Sequence, residues 1–211
     1  MEPATRAKDT GSVRERIMTV ATDLSAKMGL EAVSVRDIAA TAQISLSAIN
    51  YHFGSKTGLL EHLVREHLEA IDALREPLLV ALEQSGRPDL RATLKVIFVP
   101  TLTWMFGSEE DQIRSQFFSR ALVTPIPEIQ RLIDENVRHL DRIVYLIEAC
   151  DLGHDRAEIY WRLHFTMGIE HLSFFDLGRH RHLARGLLQP FGKEDLLERM
   201  VDYAEAGWRR T

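Results

Sequence analysis

The 211 residues are 45% hydrophobic and 27% charged, with 12 Gly and 7 Pro. That balance supports a buried core and excludes a disordered polymer, and the length excludes repeat arrays and large multidomain enzymes. The one cysteine, Cys150, can neither close an internal disulfide nor hold a structural zinc alone, which points to the cytoplasm.

No run approaches the ~20 apolar residues of a bilayer span. Residues 1–11 are polar, unlike the apolar centre of a secretion signal, so neither membrane nor export is expected. The net charge of −5 is unevenly placed: residues 1–56 carry seven Lys/Arg against six Asp/Glu, and residues 57–211 carry nineteen against twenty-five. This distribution permits a small nucleic-acid-binding head on an acidic body.

Apolar residues recur at helical period along nearly the whole chain, and no run shows the two-residue alternation of a strand. An all-α chain of nine helices is expected. Ser12-Val13-Arg14-Glu15 reads as a capping box that opens a helix with Ile17, Val20, Ala21, Leu24 and Met28 on one face, ended by Gly29. Ser34-Val35-Arg36-Asp37 starts a second, short helix that breaks near Gln43, and a third runs from about Ser45 to Phe53 before Gly54. Residues 1–11 read as a loose tail, and 1–56 as one domain.

A long helix from Ser55-Lys56 to about Gln84 opens the second domain, 57–211, with Pro77 expected to kink it or mark a junction. Further helices are expected near 89–106, 109–123, 127–150, 155–177 and 193–209, separated by Gly, Pro and Ser breaks.

The pair 35–42 and 45–53, joined by a tight turn, has helix-turn-helix proportions, and its second member is sized to lie in a DNA major groove. Steps of 100° put Ile49 and Phe53 on one side of that helix and Ser47, Asn50 and Tyr51 on the other. The second set offers hydroxyls and an amide to phosphates or base edges. Lys56, at the start of the long helix, places a cation against the positive end of the dipole, a position that an approaching phosphate makes favourable.

The residues Ser34-Val35-Arg36-Asp37-Ile38-Ala39, Ile44-Ser45, Ala48-Ile49-Asn50-Tyr51-His52-Phe53, Ser55-Lys56 and Leu59-Leu60 resemble the DNA-binding region of the TetR/AcrR transcriptional regulators. The match covers residues 12–60 at motif level, and the helical layout beyond it is similar to the same family. The resemblance implies a homodimer, a palindromic double-stranded operator, repression relieved by a ligand, and neither catalysis nor cofactor. It carries DNA contact to Ser34, Ser45, Ser47, Asn50, Tyr51, His52, Lys56 and Thr57. This chain departs from the family pattern at Gln43, a turn position often filled by Gly, and at Asn50, a position commonly Tyr.

In the body, Pro100 interrupts an apolar stripe and is expected to open space for a small hydrophobic effector among Phe98, Leu102, Met105, Phe106, Phe117 and Phe118. Asn136, Leu140 and Val144 contribute from the next helix. The stretch Ile159-Tyr160-Trp161-Arg162-Leu163-His164-Phe165, with Gly168, is similar to a TetR subgroup that includes regulators responding to fatty-acid-like ligands, which implies an acyl-type effector, and Phe165 and Ile169 are expected to line its site. Helix 155–177 carries a second nonpolar side, Tyr160, His164, Gly168, His171 and Phe175. With Leu197, Met200, Val201, Ala204 and Trp208 of the last helix it is expected to form a four-helix dimer interface.

The nine histidines lack metal-ligand spacing, and neither a nucleophile signature nor a phosphate loop is present in the sequence. A helical hydrolase or lyase working in the apolar cavity is the alternative reading.

Overall fold

The structure, a computed structural model, describes residues 12–87, 89–137 and 139–210, with the backbone alone for 174–181. The tail expected over 1–11 lies outside the described residues. Among those described, ten α-helices form and no strand.

Side-chain caps set the boundaries of the head. In α1 (Val13–Met28) the Ser12 N–H donates to Glu15 Oε2 at 2.7 Å and the Glu15 N–H returns to Ser12 Oγ at 3.2 Å. Ser34 and Asp37 repeat this box at the start of α2 (Val35–Ala42). Gln43 then turns the chain with φ 52° and ψ 50°, and its N–H meets the carbonyls of Ala39 and Ala40. Left-handed backbone is costly for a residue with a Cβ. The Ser45 hydroxyl accepts from the Ala48 N–H to begin α3 (Leu46–Phe53), which Gly54 closes at φ 74°.

The 29-residue α4 (Lys56–Gln84) runs unbroken through Pro77, where a kink or junction was expected. Pro77 and Ala73, whose carbonyl it frees, are both exposed, so water can take the lost bond. The helices α5 (Leu90–Met105) and α6 (Glu109–Val123) follow, α5 continuing through Pro100 and α6 opening on a third capping box, Ser108 with Asp111.

The single helix expected over 127–150 divides into α7 (Pro127–Glu135) and α8 (His139–Glu148), which raises the count from nine to ten. Asn136 is the reason: its Nδ2 donates to the Leu132 carbonyl at 2.7 Å and its backbone leaves the helix at φ −110°, ψ 14°. A short amide side chain competes in this way with the helical ladder. The last two helices are α9 (Arg156–Leu183), which outruns the expected end at 177, and α10 (Lys193–Trp208).

Two buried clusters hold the chain. One joins α1, α2 and α3 to the first half of α4 and to Phe117, Ala121, Ile129 and Leu132 of α6 and α7. The other joins the far end of α4 to α5, α8, α9 and α10. The head therefore shares its core with the body rather than owning a separate one. On the surface, Arg91 of α5 pairs with Glu198, Asp202 and Glu205 of α10 at 2.5–2.7 Å, and Arg142 of α8 with Glu76 and Glu83 of α4 at 2.6 and 2.8 Å.

The strain at Gln43 is open to measurement. Gln43→Gly removes the Cβ from a left-handed residue and is expected to stabilise the chain by up to ~1 kcal/mol, after the entropy glycine adds to the unfolded state. A rise in the urea midpoint at unchanged slope is the readout.

Candidate nucleic-acid interface and effector cavity

Burial divides α3 cleanly. Ile49 is fully buried and Phe53 nearly so, whereas Ser45, Ser47 and Asn50 are exposed and Tyr51 is 86% exposed. Every side chain of the exposed face is uncharged, and α3 contains no Asp or Glu that would repel a phosphate. The Ser45 and Ser47 hydroxyls lie 2.9 Å apart, and the Tyr51 and His52 rings meet edge-on at 5.2 Å.

Phe53 anchors the end of α3. His62 of α4 packs edge-on against its ring at 5.4 Å, and the Arg14 guanidinium of α1 sits 5.5 Å from the ring centroid. Gly58 lets α4 start close by, because a Cβ there would collide with the Phe53 carbonyl oxygen. The Lys56 ammonium donates to the Glu31 carbonyl at 2.8 Å, which ties the start of α4 to the loop after α1. Burial lowers its proton affinity, against the pull of Glu31. Thr57 is half-buried beside it. Ser34 is exposed, and its hydroxyl both donates to the Asp37 carboxylate at 2.6 Å and accepts the Asp37 N–H. That hydroxyl holds the Asp37 carboxyl below the usual carboxylate range.

A link that the sequence did not disclose joins body to head. Arg120 of α6 donates from Nε to the Ala26 carbonyl at 2.6 Å and from Nη2 to the Lys27 carbonyl at 3.2 Å. A cation here satisfies carbonyls that the end of α1 leaves unpaired and meets the negative end of its dipole. The partners lie more than ninety residues apart, so no local pattern marks the pair.

In the body a cavity of about 80 Å³ lies among α4 to α9. Leu68, Ile71, Phe118, Leu140, Leu163 and Met167 make its apolar walls, and Arg75, Thr101, His139, Glu170 and His171 its polar part. Among the side chains expected around an effector, Phe118 and Leu140 line this space. The others are placed elsewhere. Phe98, Leu102, Phe117 and Val144 are fully buried in the two cores, Met105 packs at their edge, and Asn136 caps α7. Phe106 and Phe165 are exposed, and Ile169 lines a groove between α9 and α10. A groove of about 790 Å³ between α1, α4 and α6 is larger, but exposed Glu15, Glu66, Glu109 and Glu110 rim it, which suits water better than an apolar molecule.

The expected dimer surface divides in the same way. Met200, Val201, Ala204 and Trp208 are buried against their own chain, with the Trp208 indole donating to Thr166 Oγ1 at 3.0 Å, so they have no area left for a partner. Leu197 is half-buried. Tyr160, His164 and Gly168 are exposed, His171 is half-buried, and the Phe175 side chain lies outside the described residues. Trp161, Phe165, Leu172 and Tyr203, each at least 60% exposed, extend that apolar surface.

Glu170 is a buried ionisable group of the cavity. The Thr101 hydroxyl donates to its Oε1 at 2.6 Å, yet burial pushes the carboxyl up to about 7, against the opposing effects of Thr101 and Arg75. A carboxyl raised on folding makes the native state hold the extra proton, so stability falls as pH climbs from the ordinary 4.5 to about 7. The loss is up to ~3 kcal/mol at 1.36 kcal/mol per unit. Urea unfolding at pH 5 and pH 8 is expected to show most of this difference vanish in Glu170→Gln.

Residues 95–207 match the family model described as Tetracyclin repressor-like, C-terminal domain, and residues 17–63 that of Bacterial regulatory proteins, tetR family. Over 58 residues the chain is 40% identical to a protein of Bacillus subtilis (strain 168) described as "Probable HTH-type transcriptional regulator YttP", and that match spans 28% of the length of each. The ketosteroid transcriptional regulator KstR2 of Mycobacterium tuberculosis superposes with a TM-score of 0.63 at 18% identity, covering 95% of this chain and 97% of that one. A TetR-family transcriptional regulator from Bordetella parapertussis 12822 gives 0.65 at 17% identity, covering 92% and 94%. At such identities the superpositions establish the fold alone. The C-terminal family model spans more than half of the chain and the N-terminal one most of the head, and the chain therefore belongs to the TetR family of bacterial transcriptional regulators.

Proposed function

We propose that the protein is a homodimeric repressor that reads a palindromic operator with α3 and releases it when a small hydrophobic molecule enters the body cavity. The observation that carries this reading is the face of α3: uncharged, exposed, and held outward by the burial of Ile49 and Phe53. Residues 1–56 are the reader and residues 57–211 the effector and dimer body. Asn50 and Tyr51 take base edges, while Ser34, Ser45, Ser47, His52, Lys56 and Thr57 take phosphates.

Coupling follows from shared walls. Leu68 and Ile71 of α4 and Phe118 and Leu122 of α6 bound the cavity, and α6 also carries Arg120, the anchor of α1. The cavity is far below the ~300 Å³ of a drug-sized site, so such an effector has to push α4 and α6 apart. Paired heads must stay ~34–36 Å apart to occupy successive grooves, and displacing both helices that hold each head disturbs that spacing. The dimer surface is the exposed apolar side of α9, where Trp161 and Phe165 stack with centroids 6.0 Å apart, extended by Tyr203.

A gel-shift on DNA upstream of the gene and its neighbours tests the reader. Asn50→Ala is expected to weaken specific binding roughly tenfold or more, as loss of a base contact worth ~1–3 kcal/mol requires. Lys56→Ala is expected to weaken all sequences alike and flatten the salt dependence. Unchanged shifts in both variants would refute the assignment. For the dimer, Phe165→Glu buries a charge in the proposed interface, and sedimentation is expected to show a monomer at micromolar concentration where the parent protein is a dimer.

A further inference from the structure

The polar part of the cavity contains a donor with nothing to donate to. Arg75 of α4 has a side chain only 7% exposed, and its Nη1 donates to Asp72 Oδ1 at 2.6 Å and lies 3.4 Å from His139 Nδ1. Its Nε is buried and has no partner among the described residues. A buried N–H without an acceptor carries an uncompensated desolvation cost, which a ligand oxygen would remove. Glu170, the carboxylate that would compete for this cation, already accepts from Thr101.

We propose that Arg75 receives the carboxylate of an apolar acid, whose hydrocarbon part lies along Leu68, Ile71, Phe118 and Leu140. This rests on the reading of the cavity as the effector site and deepens it by naming the ligand's headgroup. The guanidinium is planar and offers its donors in a fixed fork, the geometry that suits a carboxylate. At pH 6 an ammonium headgroup would meet Arg75 itself at close range beside a neutral Glu170, with Asp72 already paired to Arg75.

Proton linkage gives the proposal a second readout. Glu170 shares the cavity with Arg75 of α4, Thr101 of α5 and His139 of α8, with His171 on its own helix, while α6 and α7 present apolar Phe118, Leu122 and Ile133, and Asp72 pairs with Arg75 and His139. Burial lowers the proton affinity of His171, and Glu170 is protonated below about 7. A ligand carboxylate thus enters beside a neutral Glu170 at pH 6 and beside a second anion at pH 8, so affinity falls as pH rises through 7.

Calorimetric titration of the full-length protein with the straight-chain acids from butanoate to dodecanoate, and with the amine and alcohol of each length, tests this directly. At least one acid is expected to bind at pH 6, with its amine at least tenfold weaker, and the acid is expected to weaken several-fold at pH 8. Glu170→Gln flattens that pH dependence. Arg75→Gln weakens the acid at least tenfold, and Arg75→Lys, which keeps the charge but not the fork, also weakens it, while both melt cooperatively and shift operator DNA as before. The proposal is overturned if no acid binds, if the amine binds as tightly as the acid, or if both Arg75 variants bind the acid unchanged. Should either variant fail to fold, the comparison of acid with amine and the pH profile still decide. Operator binding by the unliganded protein is measured separately, so failure here leaves the reader assignment standing, and failure there leaves the ligand result standing.

Discussion

The recognition helix has eight residues, too few to be stable in water by itself, so its orientation depends on the burial of Ile49 and Phe53 against α1 and α4. Those two contacts decide which side of α3 is left to the solvent, and hence which chemistry the head can present. The caps at Ser45 and Gly54 fix the helix ends, and Gly58 permits the close start of α4 that keeps Phe53 in place. The exposed face is the remainder after packing has taken its share of a very short helix.

The same packing explains how the body can influence the head. Phe117 and Ala121 of α6 and Ile129 of α7 lie in one cluster with Ile17, Ile38 and Ile49. A displacement of α6 is therefore felt in the core that holds the reader, without any dedicated wire between sites. The body cavity borders α4 and α6 together, so its walls are the head's two supports.

Much of this was legible along the chain because the signals were local. Ser12 with Glu15, Ser34 with Asp37 and Ser108 with Asp111 are capping boxes readable from four consecutive residues, and all three form. Asn136 defeated the reading because its amide bonds backward to Leu132, an alternative that apolar periodicity does not register. Long-range choices were not legible at all. The α10 stripe of Met200, Val201, Ala204 and Trp208 fits an interior or an interface equally well at the level of pattern, and only the placement of α5 and α9 shows that the chain's own interior claims it. No local pattern marks Arg75 and Glu170, because the helices that enclose them come from distant parts of the sequence.

Arg120 grips α1 by main-chain oxygens, those of Ala26 and Lys27, rather than by side chains. Every residue type supplies the same carbonyl, so substitutions along the outer side of α1 leave this attachment untouched. The mechanical connection between the two halves therefore tolerates a change of side chain at Ala26 or Lys27, provided α1 keeps its course.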